Sequence, residues 1–347
     1  MNLFIVLPAT ADATAIALLP ALARLAAYAP PTVDEHGLLH AVLEVLGAAD
    51  APPAPLLALG AGMPMPAAGA CVMAASPIHL AIHGDDVRVA GRATGLAADY
   101  AARAVTLLNG TFATDGIRFV AARSDAWFAQ MQQAPDVTTA PVDAVIGQSL
   151  YACRPQGRDA RLWERYGNEI QMLLFGLNDS TGLTGQVRDE TRSASDAAPP
   201  NAVWFWGGGA LSGGGAWREF RAFAAAADTH DAADLARGAM LASGRETEPL
   251  PENLAALPPV AVDQRILVVL PDVGDATLAA QWLAPALTAL ETGGLSGLTV
   301  FAGATATRIW SARPPSWLAR LRARLATTRA IRLAAQGSAP APRPPAP

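Results

Sequence analysis

The sequence predicts an α/β fold, a mixed and largely parallel sheet flanked by helices, with a hairpin-rich subdomain in its first half. Three observations predict it. Two short apolar runs, residues 3–7 (LFIVL) and 266–270 (ILVVL), are rich in branched side chains and end at Pro8 and Pro271. Each leads into helix formers broken by a proline, an order that suits a sheet buried on both faces. Ile78, Leu80 and Ile82 alternate with His79, Ala81 and His83, the period-2 pattern of a half-buried strand. The chain of 347 residues is 52% hydrophobic and 16% charged, enough apolar surface for a large core.

Taken in order, the first run leads into a helix over 15–28, interrupted at Pro20. Residues 51–70 are dense in Pro, Gly and Ala and predict a loop or domain-edge connection. Residues 71–89 predict a hairpin turning at Gly84-Asp85-Asp86, followed by a helix over 95–112 and a strand over 117–121. In 159–175 the residues Leu162, Trp163, Tyr166, Ile170, Leu173 and Leu174 recur at helical spacing, with Gly176 as the stop. The polar stretch 178–200 has no periodicity and predicts an exposed loop. A third apolar run, 203–206, enters Gly207, Gly208 and Gly209 directly, and the run at 266–270 feeds a helix over 277–290 that contains Pro285. Residues 314–335 place Trp317, Leu318, Leu321, Leu325 and Ile331 among five Arg and predict a basic amphipathic helix. Residues 1–335 are expected to form a single α/β unit, its hairpin-rich subdomain at about 71–150, and 336–347 a disordered Pro-rich tail.

Composition excludes several chemistries. All 25 basic residues are Arg. Without Lys the chain builds neither a Walker P-loop, nor a pyridoxal Schiff base, nor a kinase strand lysine. Cys71 and Cys153 are too few for a disulfide framework or a four-cysteine zinc site. The first residues carry no basic leader and the first apolar run is too short to span a bilayer, which predicts a cytoplasmic protein without a membrane span. No Asp or Glu follows Glu291, whereas eight Arg lie between Arg308 and Arg343, so the net charge of −5 divides into an acidic body and a basic end. Such an end meets an acidic partner or docks on the body, and nucleic acid ranks last because the body is acidic.

The strongest local candidate is Asn201 with Trp206, Gly207, Gly208 and Gly209. A strand that ends in glycines at the carboxyl edge of a sheet exposes backbone N–H groups able to accept phosphate or carboxylate oxygens without any Lys. The competing reading is a linker leaving the strand, since the glycines lack the spacing of a nucleotide fingerprint. His79, His83 and Asp85 share one face if 78–85 is a regular strand, adequate as metal ligands but read as solvent-facing because Ile and Leu claim the other side. His36 and His40 lie four apart beside Asp34 and Glu35, yet His-Glu-x-x-His is absent and no metal site is assigned there. No Gly-x-Ser-x-Gly elbow occurs, and His230 is the one His after residue 83, so no catalytic residue is named.

Several segments together resemble one family. Ser76-Pro-Ile-His-Leu80 is similar to an Asp-Pro-Val-His-Leu segment. Leu108, Asn109, Phe112, Asp115, Gly116 and Phe119 match a Leu-Asn-x-x-Phe-x-x-Asp-Gly-x-x-Phe pattern, with Trp127 at an expected aromatic. Asn168 opens Asn-Glu-Ile-Gln-Met-Leu, and Asn201 precedes Trp-Phe-Trp-Gly-Gly-Gly. These pieces, spanning about residues 70–210, resemble the bacterial RpfE-type regulatory proteins, also described as cofactor-independent phosphoglycerate mutases. Archaeal-type mutases carry His-Pro-Val-Asn, then Asn and Trp-Leu-Trp-Gly-x-Gly. Here the second part survives and Leu177-Asn178 stands in place of the first. The resemblance implies a fold that is alkaline-phosphatase-like in part. It also implies site residues Asn168, Asn201, Trp206 and Gly207 to Gly209.

Two-metal phosphoryl transfer needs more Asp and His than the five His and the first-strand sequence Pro8-Ala-Thr-Ala-Asp12 supply. The expectation is therefore a degenerate, mutase-like regulatory or accessory protein that needs no cofactor and binds a small phosphorylated or anionic ligand or a protein partner. The first alternative is an active phosphoglycerate mutase or phosphatase using a divalent metal. The second is a nucleic-acid-associated regulator.

Overall fold

The computed structural model describes residues 1–8, 19–180, 198–211, 217–259, 261, 263–272, 274–304 and 306–316. The basic helix expected from 314, Trp317 with it, the tail at 336–347, most of the loop at 178–200, Ser212 to Gly215 and the start of the helix at 15–28 lie outside these residues. The chain divides into two compact units, one formed by Met1–Ala41, Glu219–Ala226 and Glu248–Pro347, the other by Val42–Arg218 and Ala227–Thr247.

The first unit carries the mixed, largely parallel sheet. Its strands are β1 (Asn2–Val6), β2 (Thr32–Asp34), β8 (Arg221–Ala224), β9 (Glu248–Pro249), β10 (Arg265–Val269), β11 (Gly297–Ala302) and β12 (Thr307–Ala312), in the order β2-β12-β11-β1-β10-β8-β9. The two apolar runs are neighbours: β1 pairs in parallel with β10 and with β11, and β10 with β8, while β12 runs antiparallel to β11 and β2. Leu3, Ile5, Ile266 and Val268 bury one face against Leu22 and Leu25 of the helix Pro20–Tyr28 and Leu287 and Leu290 of the helix Ala284–Thr292. Both prolines act through their missing N–H. Pro20 opens its helix, where no bond is lost, and Pro285 follows a π-turn at Ala279–Leu283 that widens the chain ahead of it.

The second unit is built on an antiparallel sheet of β3 (Cys71–His83), β4 (Asp86–Arg92), β5 (Arg118–Arg123), β6 (Ala126–Met131) and β7 (Ala202–Gly209). The hairpin predicted at 84–86 is present, and β3 pairs with β4, β6 and β7. The hairpin-rich region is therefore completed by a strand more than a hundred residues along the chain. The helices Ala98–Phe112 and Ala160–Ser180 cover the sheet, with Phe112, Tyr166, Trp163 and Phe205 meeting edge to face at 4.7–5.7 Å. The second of these runs past Gly176, because Asn178 is buried and held by the Tyr100 hydroxyl at 2.8 Å and the Pro200 carbonyl at 3.0 Å.

The expected loop at 51–70 is instead opened by the helix Pro53–Gly60, whose residues Ala54 to Leu59 are buried. Its prolines sit in the first turn, which tolerates them. It packs on the helix Asp231–Ala242 at glycine contacts. A Cβ on Gly238 would lie 1.8 Å from the Leu56 carbonyl oxygen, and one on Gly60 1.8 Å from that of Asp234.

Candidate functional site

A cavity of about 380 Å³ opens in the second unit. One wall is a face of the helix Ala160–Ser180, where Trp163, Glu164, Gly167, Asn168 and Gln171 follow the i, i+4, i+8 spacing that puts side chains over one another. A second wall is β7 from Ala202 to Phe205, and β3 adds Met73, Ile78 and Leu80. The tip of the β3–β4 hairpin brings Asp85 and Asp86, and the loop after 149 brings Tyr151 and Arg154.

Hydrogen bonds hold these walls. The segment 147–150 extends the edge of β4, with Leu150 N–H donating to Val87 and Gly147 N–H to Val89. Thr139 donates to the Phe205 carbonyl at 2.6 Å and the Trp204 indole to that of Ala140 at 2.9 Å, which ties 137–140 to β7.

The interior is apolar and aromatic; the mouth is acidic. Three carboxylates, Asp85, Asp86 and Glu164, line it against one guanidinium, Arg154. Arg154 lies 3.6 Å from Glu164 and stacks 4.2 Å from the Tyr151 ring. The Ser149 hydroxyl donates to Asp86 at 2.7 Å, and this bond, with Arg88, holds the Asp86 carboxyl below the usual carboxylate range. Asn168 and Gln171 supply amides beside these charges.

Of the ligand-site residues expected from sequence, Asn168 reaches the cavity, whereas Asn201, Trp206 and Gly207 to Gly209 do not line it. Asn201 clasps a backbone: its Oδ1 accepts the Leu80 N–H at 2.7 Å and its Nδ2 donates to the Leu80 carbonyl at 2.8 Å. Leu80 lies two residues beyond Ile78, where the β3–β7 pairing ends at Ala202, so the Asn201 amide takes the place of a missing β7 partner. Trp206 is buried, its indole donating to Ser76 at 2.9 Å.

The glycines do not leave the edge of a parallel sheet. They continue an antiparallel strand through a register shift against β3, with Gly207 at φ +64°. A Cβ at Gly207 would stand 2.8 Å from Pro53, at Gly208 2.3 Å from Met73 and at Gly209 2.6 Å from Pro52. Side chains are absent there because neighbouring chain comes close, a demand of packing that the sequence presents in the same letters as an anion loop.

His79, His83 and Asp85 do not converge into a ligand group. His79 is half-buried, which lowers its pKa, and Asp85 faces the cavity. Among the described residues the group of three that does converge is Asp34, His36 and His40. A pair of divalent ions would need more donors than that set supplies. Trp163, Gln171 and Tyr151 were not named from sequence as ligand contacts. Trp163 and Tyr166 belong to the same helical-spacing set of apolar residues, and nothing in that spacing separates the cavity-lining position from the packed one.

No protein-family model and no curated protein sequence matches the chain. Among solved structures it is similar to a cofactor-independent phosphoglycerate mutase from Thermoplasma acidophilum, at 12% identity and a TM-score of 0.39, over 91% of this chain and 90% of that one. It is also similar to the PH0037 protein from Pyrococcus horikoshii, at 11% identity and a TM-score of 0.43, over 90% and 87%. Among the described residues no helix is long and apolar enough to cross a membrane.

Proposed function

We propose that the chain is a ligand-binding regulatory or accessory protein and that its ligand occupies the cavity between the helix Ala160–Ser180 and β7. The cavity itself carries this reading. Its size suits a small organic molecule, and its apolar interior offers a body site with amide groups to fix a polar end. A regulatory role is what the resemblance to the RpfE-type proteins implies.

The charge at the mouth selects the ligand class. With three carboxylates to one guanidinium, the lining favours a neutral or cationic polar end over a phosphorylated one. The phosphate or carboxylate ligand expected from the glycines loses its support with the glycines packed against Pro52, Pro53 and Met73.

Thermal unfolding of the full chain tests this with a panel of neutral and amine-bearing aromatic compounds beside phosphoglycerates. Occupancy at 100 times Kd stabilises the folded state by about 2.7 kcal/mol. The reading predicts upward shifts with members of the first group alone. Shifts with phosphoglycerates and none with the others would overturn it in favour of the mutase-like alternative.

A further inference from the structure

Asp34 ends the edge strand β2, His36 lies two residues on, and His40 stands in the first turn of the helix Leu38–Leu46. Gly37 between them adopts φ +89°, a left-handed conformation open to glycine at little cost, and it lets the helix start fold back toward the strand end. Asp34 Oδ1 is 3.1 Å from His36 Nδ1, and Oδ2 is 3.0 Å from His40 Nδ1. The His36 backbone N–H donates to Oδ1 at 2.8 Å, and the two imidazole centroids are 4.7 Å apart. The three ligand atoms all lie within 4.8 Å of one another.

We propose that Asp34, His36 and His40 bind a divalent first-row transition ion of the zinc type. Two ligands on one such ion, at bonds of about 2.0–2.2 Å and angles from square to tetrahedral, stand roughly 2.9–3.5 Å apart. The two imidazoles hydrogen-bond to different oxygens of the one carboxylate, and both separations fall in that interval, so an ion would replace these bonds with little movement of the rings. The His36 side chain is 76% exposed and has room to swing its nitrogen to the same spacing from His40. Each neutral ring then carries its proton on Nε2 and gives Nδ1 to the metal. Two imidazoles and one carboxylate suit zinc, cobalt, nickel or copper better than magnesium or calcium, which prefer all-oxygen sites. Three protein ligands leave the remaining positions to water. The site belongs to the first unit and none of its residues lines the cavity, so it stands independently of the ligand reading.

The test is titration of the tag-free full chain with Co²⁺ by visible absorption and with Zn²⁺ by calorimetry. One equivalent should bind, with ligand-field bands for cobalt, and Mg²⁺ at the same concentrations should give no heat. His36→Ala, His40→Ala and Asp34→Asn should each weaken Zn²⁺ binding by at least about tenfold. His79→Ala should leave it unchanged. His36 is largely exposed, so its variant should melt like the parent without metal, which separates lost affinity from lost fold. Unchanged affinity in His36→Ala and His40→Ala, no binding to the parent at millimolar ion, or Mg²⁺ binding equal to Zn²⁺ would each overturn the proposal.

Discussion

Replacing Asn201 separates the two roles open to it. The side chain makes two hydrogen bonds to the Leu80 backbone, at 2.7 and 2.8 Å, in a half-buried setting. Each is worth about 0.5–1.5 kcal/mol net, so Asn201→Ala should cost about 1–3 kcal/mol. Hydrogen exchange at the Leu80 amide reads this locally: if opening of the strand limits exchange, the rate should rise roughly 5- to 150-fold. Asn201→Asp adds a sign. At neutral pH the carboxylate still accepts the Leu80 N–H but sets an oxygen against the Leu80 carbonyl, so the loss should equal or exceed that of alanine. On acidification a protonated Asp donates to that carbonyl, and stability relative to Asn201→Ala should recover. A ligand affinity unchanged from the parent completes the expectation. Leu80 exchange at the parental rate, together with lost ligand binding, would refute the structural role and restore Asn201 to the site.

Other predictions concern packing and charge. Gly238→Ala sets a Cβ 1.8 Å from the Leu56 carbonyl, so urea unfolding should show a loss of about 2 kcal/mol or more despite the better helix former; a neutral result would refute the close helix contact. Gly110→Ala, on an exposed helix position where a Cβ meets nothing within 4 Å, should instead gain up to about 1 kcal/mol by the same measurement. Arg221 donates to both oxygens of Glu248, and these bonds hold the Glu248 carboxyl below its ordinary 4.5. A depressed carboxyl pKa stabilises above the unfolded value and loses that contribution as pH falls through the folded one. Glu248→Gln should therefore weaken the first unit at pH 7 and differ less from the parent at pH 3, and an equal difference at both would contradict the pairing.

Much of the framework is legible in the sequence because period and branching report burial directly. The runs at 3–7 and 266–270 are adjacent parallel strands, and the hairpin turns at Gly84-Asp85-Asp86 as its letters indicate. What failed were places where one composition serves two purposes. Pro and Gly at 51–70 suggest a loop, yet prolines at a first turn and a glycine at a helix contact give a buried helix. The glycines at 207–209 suggest exposed amides, but a register shift and three close neighbours account for them. The cavity was invisible because its walls come from segments distant along the chain, and Asn168 was found through a resemblance alone. Asp34, His36 and His40 were set aside for lack of a helical motif. Their convergence depends on the turn at Gly37, which no helix periodicity contains.

The ligand reading is tested most directly by filling the cavity without harming the fold. Gly167 lines it from a helix interior, and a Cβ there meets nothing within 4 Å. Gly167→Leu places a better helix former at that position and extends a side chain into the space, so thermal stability should hold or rise by up to about 1 kcal/mol. Titration of parent and variant with a compound that shifts the parent's melting, read by tryptophan fluorescence, should show binding to the parent and a loss of at least about tenfold, or 1.4 kcal/mol, in the variant. Equal affinity in a well-folded Gly167→Leu would contradict the account and place the ligand outside this cavity.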